Sequence, residues 1–331
     1  MAELLVLGIE STAHTFSCSV VRKGRKGEIL SNVNSVYRPE KGGIHPREAA
    51  RHHTTVAPEV LKECLDAARV GIGELDAIAY SAGPGLGPCL RVGAVVARAL
   101  AYRYKKPLVP VNHAIGHIEL GRLLTGAKDP VVLLVSGGHT AIACFGSRRW
   151  RVFGETLDLT VGQLLDQFGR AAGFPSPSGP LIESLAKRSD RFIDLPYVVK
   201  GNDVSFSGLL TAAKKLLSKE PLEDVCYSLQ EVAFSMLTEV TERALAFSEK
   251  GELMVVGGVA ANERLRSMLE FVAEEQGAEL KVVPKAYSGD CGAQIAWTGA
   301  LEFEAGISVP VDEAFVRQDW RFDRVEVCWS S

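Results

Sequence analysis

Two histidines set four residues apart, His113 and His117 in NHAIGHIE (112–119), are the side chains in this sequence best suited to chemistry. On a helix an i, i+4 pair lies on one face about one turn apart, so both imidazoles can reach a single metal ion. The zinc-peptidase pattern HExxH needs a glutamate directly after the first histidine as general base, and Ala114 stands there instead. Glu119, two residues past His117, points to a different side of such a helix. A third ligand must therefore come from elsewhere, and Asp290 in YSGDCGAQ (287–294) fits, since it follows a strand and sits in a glycine-flanked turn. Two imidazoles and one carboxylate leave positions open for substrate oxygens, which suits one divalent ion, iron or zinc, in a Lewis-acid role. Cys291 beside Asp290 reads as an ordinary turn cysteine.

Other residues suit a phosphate chain, which is held by backbone N–H groups that glycine lets come close. Three strand ends have this character: Gly8 to Thr12, Ser136 to Thr140, and Gly257 to Asn262, the last opening directly into a helix. SAGPGLGP (81–88) is a fourth glycine turn. Each alone reads more readily as a tight turn. Two of them recur at matching places in two similar halves, and ligands of open α/β sheets bind at such strand ends, so together they point to a nucleotide cleft between two lobes. There is no GxxxxGK[ST] and no strand-linked GxGxxG, which argues against P-loop and Rossmann proteins.

The elements that must carry these residues follow from periodicity. LLVLGIEST (4–12) is an apolar strand, followed by FSCSVVRKG (16–24) and EILSNVNSV (28–36) as hairpin strands. VVLLVSGGHT (131–140) and AIACFGSRRWRVFGE (141–155) repeat the design, which predicts two related domains. Helical spacing covers 46–70, 90–106, 224–251 and 262–277, with strands at 75–85, 107–112 and 252–260. The expected fold is α/β, with an N-terminal lobe over 1–128, a C-terminal lobe over 129–298 and a final segment over 299–331 returning to the first lobe. TGAKDP, a polar turn, marks the boundary.

Composition sets the limits. The 331 residues suffice for two cores, and 23% charged with 47% hydrophobic residues is an ordinary globular profile. A net charge of −3 means that a nucleic-acid substrate would need a local basic patch or a basic partner. The seven cysteines are odd in number, scattered and without a CxxC pair, which speaks for a reducing compartment rather than disulfides or structural zinc. No signal peptide is evident, and no apolar stretch reaches the roughly 18 residues of a membrane span, so a cytoplasmic protein with no membrane partner is expected.

A wider set of motifs occurs in order along nearly the whole chain: IESTAHT (9–15), GGIHPREAARHH (42–53), SAGPGLGPCLRVG (81–93), NHAIGHIE (112–119), LVSGGHT (134–140), GETLD (154–158), SFSGLLTA (205–212), GGVAANERLR (257–266) and GDCGAQIAWTG (289–299). This set resembles the Kae/TsaD family, the tRNA threonylcarbamoyladenosine synthase component, and its STAHT and GGIHPREAARHH versions resemble the archaeal and eukaryotic branch. The resemblance implies an actin-like ATPase fold of two duplicated ribonuclease H-like lobes with an interlobe nucleotide cleft. It implies transfer of the L-threonylcarbamoyl group from threonylcarbamoyl-AMP to N6 of adenosine 37 in tRNAs that read ANN codons. It also matches His113, His117 and Asp290 to the family's metal ligands. Asp166, Gly179, Glu183 and Asn262 match its nucleotide contacts, with Leu134, Val135, Ser136, Gly137 and Gly138 near the phosphates of the adenylate or of ATP. Carboxylates such as Asp166 and Glu183 can accept from ribose hydroxyls. Glu10 is a candidate for positioning the acceptor.

Two departures stand out. Leu134 occupies a place where relatives carry a metal-reaching tyrosine, and the turn around Asp290 reads Ser288-Gly289-Asp290-Cys291-Gly292 in place of an RDNG-like one. The resemblance also implies the KEOPS assembly as context, with a separate kinase-like subunit and further subunits. The clusters Arg22-Lys23-Arg25-Lys26 and Arg148-Arg149-Arg151 read as solvated hairpin tips that can contribute to holding tRNA. Rival readings are a metal-dependent endopeptidase, a small-molecule kinase of the same fold, and a nucleotide-gated scaffold without catalysis.

Overall fold

The computed structural model describes residues 3–39 and 42–329. Two five-stranded sheets share one topology. In the first, β1 (Leu4–Glu10), β2 (Thr15–Lys23) and β3 (Gly27–Val36) form an antiparallel meander, and β4 (Ala77–Gly83) and β5 (Leu108–Asn112) extend it in parallel on the far side of β1. The second sheet repeats this with β6 (Val131–Val135), β7 (Thr140–Gly146) and β8 (Arg149–Glu155) as the meander. Between β8 and the strands that complete the sheet lies a two-stranded ribbon, β9 (Val199–Lys200) with β10 (Asp203–Val204). The parallel pair is β11 (Glu252–Val256) and β12 (Glu279–Val282). The expected repeat of strand, loop and hairpin is thus a repeat of whole sheets.

The helices explain why the central strands are apolar on both faces. In the first half α1 (Pro46–Ala68) and α2 (Gly87–Tyr104) cover one face, where Ala57, Val60, Ala94 and Ala97 meet Leu7, Ile9 and Ile78. In the second half α4 (Val161–Ala171), α5 (Gly179–Ala186), α6 (Ser207–Leu216), α7 (Leu222–Ser248) and α8 (Glu263–Glu275) build the largest core against Val131, Leu133 and Val135. Periodicity anticipates α1, α2, α7 and α8 within a few residues. It does not anticipate α4 to α6, although Thr160 and Gln163 form a capping box at the start of α4.

Two helices cross between the halves. α3 (His113–Thr125) leaves the first sheet at β5 but lies on the second, burying Ala114, Ile115 and Ile118 against Val132, Leu134 and Met254. Fully burying an isoleucine contributes about 1.5–3 kcal/mol, so two of them fix the helix there. α9 (Gly292–Glu304) follows the second sheet but lies on the first, where Ile295 and Ala300 meet Val6, Ala79 and Val111. Gly8 permits this approach: a Cβ there would stand 2.2 Å from the Ala296 nitrogen and 2.5 Å from the Gly292 oxygen. The two helices pack on each other at the midline. α9 runs through residue 298, the expected lobe boundary. Beyond it the chain bridges Val309 to Leu108 and Arg317 to Ala82, then crosses to the second half, where the Val327 N–H donates to Arg148.

Candidate metal centre

The helix crossing brings together residues that the sequence keeps far apart. Asn112 caps α3, accepting from the N–H groups of Ala114 and Ile115 at 3.0 and 3.2 Å, and so fixes the first turn that carries His113. His113 and His117 lie with ring centroids 4.7 Å apart and nearly perpendicular planes. Asp290, in the turn just before α9, places Oδ1 3.5 Å from His113 Nε2 and 3.3 Å from His117 Nε2. One ligand atom from each of the three residues lies within 4.8 Å of the others. Ligands bonded to one ion at about 2.0–2.2 Å stand roughly 3–3.5 Å apart, so this donor set fits a single cation and can bind one. Among the described residues it is the group of three or more His, Cys, Asp or Glu side chains so arranged.

Behind the ligands sits a fully buried carboxylate. Glu10, at the end of β1, accepts from the Thr12 N–H at 2.6 Å through one oxygen, and its other oxygen lies 3.0 Å from His113 Nδ1. An Nδ1–H held by a carboxylate leaves Nε2 as the metal-facing atom and fixes the ring. The Gln294 amide abuts the same Nδ1 at 2.9 Å, and with Nδ1 as donor its favourable orientation turns the oxygen inward. Glu10, the candidate for positioning the acceptor, turns its oxygens to Thr12 and His113. Burial alone would lower the pKa of His113, yet the Glu10 and Asp290 carboxylates outweigh it and hold the imidazole up at about 9. Burial pushes His117 down despite its Asp290 contact. Burial alone would raise Asp290, but the His113 charge and the His117 hydrogen bond hold it below the usual carboxylate range.

Neighbouring candidates separate clearly. Cys291 is buried and its thiol is pushed up to about 12 by that burial, an inert side chain. Glu119 is buried on another side of α3 against Arg122, 3.2 Å away. Leu134 and Val135 lie within β6 with side chains in the two cores on either side of the sheet, so Leu134 does not reach the histidines, and the segment open to a ligand begins at Ser136. There the Ser136 hydroxyl accepts from the N–H groups of Gly138 and His139, while Gly137 and Gly138 are exposed. Gly257, with φ of +97°, allows the turn after β11 to touch this loop, since a Cβ would lie 2.3 Å from the Val135 oxygen.

The remaining expected nucleotide contacts form one connected ridge. Asp166 on α4 accepts from the Ser178 N–H at 2.8 Å, immediately before Gly179 opens α5. Glu183 on α5 accepts from the Glu263 N–H at 3.0 Å, next to Asn262. Asn262 caps α8 and gives its amide to Gln230 at 2.9 Å. Each of Asp166, Glu183 and Asn262 has a structural bond, and the ridge adjoins the 136–138 loop through Gly162, whose Cβ would lie 2.6 Å from the Ser136 oxygen.

Sequence reasoning passed over His139 as a separate participant. Its ring lies 6.4 Å from that of His113, it faces Phe322 at 6.3 Å, and burial lowers its pKa to about 3. It also missed the Asp319–Phe322 strap, tied to the centre by the Asn112 amide, which donates to the Trp320 carbonyl at 2.9 Å. The dense Arg and aromatic run RQDWRFDR was the available signal.

Comparison with known proteins follows the same lines. The sequence pattern of TsaD, described as tRNA N6-adenosine threonylcarbamoyltransferase, matches residues 28–297. Proteins of that name from Caldivirga maquilingensis and Thermofilum pendens are 51% and 53% identical, covering 98% and 100% of this chain and 98% of each relative. A probable bifunctional tRNA threonylcarbamoyladenosine biosynthesis protein of Methanocaldococcus jannaschii is 52% identical over 98% of this chain but only 60% of its own length. Among solved structures, HypF of T. kodakarensis superposes with a TM-score of 0.64 at 14% identity, over 91% of this chain and 48% of that one. The activator of 2-hydroxyisocaproyl-CoA dehydratase from Clostridium difficile gives 0.55 at 10%, over 93% and 99%. These two carry the actin-like α/β fold and nothing finer. With most of its length matched by the family pattern and half its residues shared with full-length relatives, the chain belongs to the TsaD family of tRNA N6-adenosine threonylcarbamoyltransferases.

Proposed function

We propose that the His113, His117 and Asp290 centre is where this transferase moves the L-threonylcarbamoyl group from threonylcarbamoyl-AMP to N6 of adenosine 37 in tRNAs that read ANN codons. The observation that carries this is the convergence of two imidazoles from α3 and a carboxylate from the turn before α9, beside the loop that exposes Gly137 and Gly138. In the reaction the adenosine amine attacks the carbamoyl carbonyl. A C–N bond forms, the C–O bond to the AMP phosphate breaks, AMP departs with the electron pair, and the proton shed by the amine passes to the departing phosphate. Bound iron or zinc supplies Lewis-acid polarisation of the substrate oxygen. The protein's own part is to hold Nε2 of both histidines toward one point, to keep Nδ1 of His113 on Glu10, and to limit water by burying Glu10, His113 and His117 while Asp290 stays partly open.

For the adenylate, the exposed Gly137 and Gly138 backbone suits the phosphate, while Asp166, Gly179, Glu183 and Asn262 suit the nucleoside, with carboxylates available to ribose hydroxyls. Leu134 and Val135 contribute through β6 alone. Among the described residues no helix is long and apolar enough to cross a membrane. The rest of the reading is a cytoplasmic protein working in KEOPS with a separate kinase-like subunit. It also holds the division into lobes at 1–128 and 129–298 with a returning segment at 299–331; the packing of α9 on the first sheet supports a returning segment, one that begins with α9 at Gly292.

Reconstitution with tRNA, threonine, bicarbonate and ATP, plus the adenylate-forming enzyme and the partner subunits, tests this. Mass analysis of tRNA nucleosides is expected to show threonylcarbamoyladenosine only when this chain is present, and His117→Ala is expected to lower the rate at least about a hundredfold, given the several kcal/mol a catalytic ion supplies. Full modification by His113→Ala/His117→Ala would remove the centre from the reaction.

A further inference from the structure

We propose that the cavity lying between Pro84, the Gly138–Ala141 segment and the Asp319–Phe322 strap is the subsite for the acceptor nucleobase, an adenine drawn out of its RNA strand. Arg317 and Arg324 beside it take the flanking phosphates. The inference rests on the transferase reading above and adds the acceptor's place.

Size selects part of a nucleotide rather than a whole one. The cavity measures about 250 Å³, just under the ~300–1,000 Å³ of sites that enclose complete ligands. Its walls combine aromatic surface from Trp320 and Phe322 with the carboxylates of Glu155 and Asp319. Aromatic surface suits an unstacked base, and carboxylates accept from an exocyclic amine. An RNA base that is to react must leave its stack, so a small aromatic-walled recess is the shape required.

Two independent links set this recess at the metal centre. His139 lines it, and its ring lies 6.4 Å from that of His113. The strap residue Trp320 is bonded through its carbonyl to Asn112, the residue immediately before His113. The Ser136–Gly138 loop stands between the recess and the Asp166–Asn262 ridge, touching the recess through Gly138 and the ridge side through Gly162. Donor and acceptor would thus approach one loop from opposite flanks.

Charge at the mouth fits a polyanion, even though the net charge is −3. An open hollow adjoins the recess, sharing Asp319, Trp320 and Arg321 with it and adding Arg317 and Arg324. Arg321 is consumed by Glu155 and Asp323 at 3.2 and 3.1 Å. Among the described residues no carboxylate partner is recorded for Arg317 or Arg324; Arg317 instead lies 4.6 Å over the Trp320 ring. Two exposed guanidiniums beside an aromatic recess are the arrangement by which strands are held at their phosphates while a base is stacked.

Photo-crosslinking tests the assignment. The wild-type chain with its partner subunits is mixed with an anticodon stem-loop RNA carrying 8-azidoadenosine at the modified position, irradiated, and its adducts mapped by peptide mass. Adducts within 138–141 or 319–322 are expected. Adducts confined to other segments, with the same preparation active on unlabelled tRNA, would overturn the subsite while leaving the transferase reading intact. Adducts at the expected segments in a preparation that never transfers the group would uphold the subsite and sink that reading instead. In a second arm, Arg324→Glu is expected to raise KM for tRNA about tenfold and lower the slope of binding against log salt by about one. An unchanged slope would remove the phosphate contact from the proposal.

Discussion

Glu10 decides how His113 behaves. The carboxylate has no exposure and divides its oxygens between Thr12 and His113, so its charge acts on the ligand rather than on solvent. Burial disfavours a charged His113, but Glu10 and Asp290 reverse the balance and hold the metal-free imidazole at about 9. At neutral pH a metal must therefore displace the Nε2 proton while the Nδ1 proton stays with Glu10. Proton and metal compete, so apparent affinity is expected to fall about tenfold for each unit of pH below 9 and to level off above it, as titration of zinc against a fluorescent chelator would read. Glu10→Gln keeps the shape and removes the charge. It is expected to weaken metal binding about 10–100-fold and to move the pH midpoint downward. A variant with wild-type affinity and the same pH profile would show that Glu10 does no more than pack. Inertness is equally a residue-scale result at Cys291, whose thiol is pushed up to about 12.

The elements matter through where α3 and α9 begin. α3 starts at the candidate ligand His113, and α9 starts two residues beyond Asp290, so the two helix N-terminal ends set the geometry of the proposed centre. Asn112→Ala removes the cap of α3 and the tether to Trp320, and a loss of about 1 kcal/mol in chemical denaturation is expected from the cap alone. Gly8→Val would drive a side chain into the backbone of α9 at Ala296 and Gly292, where no flexible group can yield. A loss of about 3 kcal/mol, at the upper end for overpacking, is expected together with loss of bound metal; metal content and stability like those of the wild type would show that α9 can shift. The same geometry explains what could be read from sequence. The histidine pair was legible because helical periodicity is local, and the duplicated meanders were legible because β1 to β3 and β6 to β8 are built from contiguous runs. Pairing of Glu10 with His113, 103 residues apart, follows from the helix crossing, which no local pattern encodes. Asp290 was reached as a glycine-flanked carboxylate and through family resemblance rather than by spacing. Helices α4 to α6 are short and irregularly joined, and their markers in the sequence are the Thr160 capping box and the amphipathic spacing of Val161, Leu164, Leu165 and Phe168 in α4, with Pro180 in the first turn of α5.

The whole molecule must hold a polyanion with a slightly negative net charge. Net charge is −3, and some of the basic charge at the two hairpins is already matched. At the first hairpin Arg22 meets Glu28 at 3.0 Å and Lys23 meets Glu304 at 2.6 Å, while at the second Arg148 meets Glu326 at 3.2 Å. Exposed pairs of this kind contribute little to stability, but each places a carboxylate where a phosphate would have to come. RNA affinity scales with the number of phosphates neutralised, so two strap arginines with partly matched hairpin tips give only a shallow salt dependence. The isolated chain is therefore expected to retain tRNA weakly on a filter, with a slope of about −2 against log salt counted from Arg317 and Arg324. Addition of the proposed partner subunits is expected both to tighten binding and to steepen that slope, through phosphate contacts that they bring. If the isolated chain binds as tightly and with the same slope as the full assembly, the grip lies within this chain, and the matched hairpins must open their ion pairs to RNA.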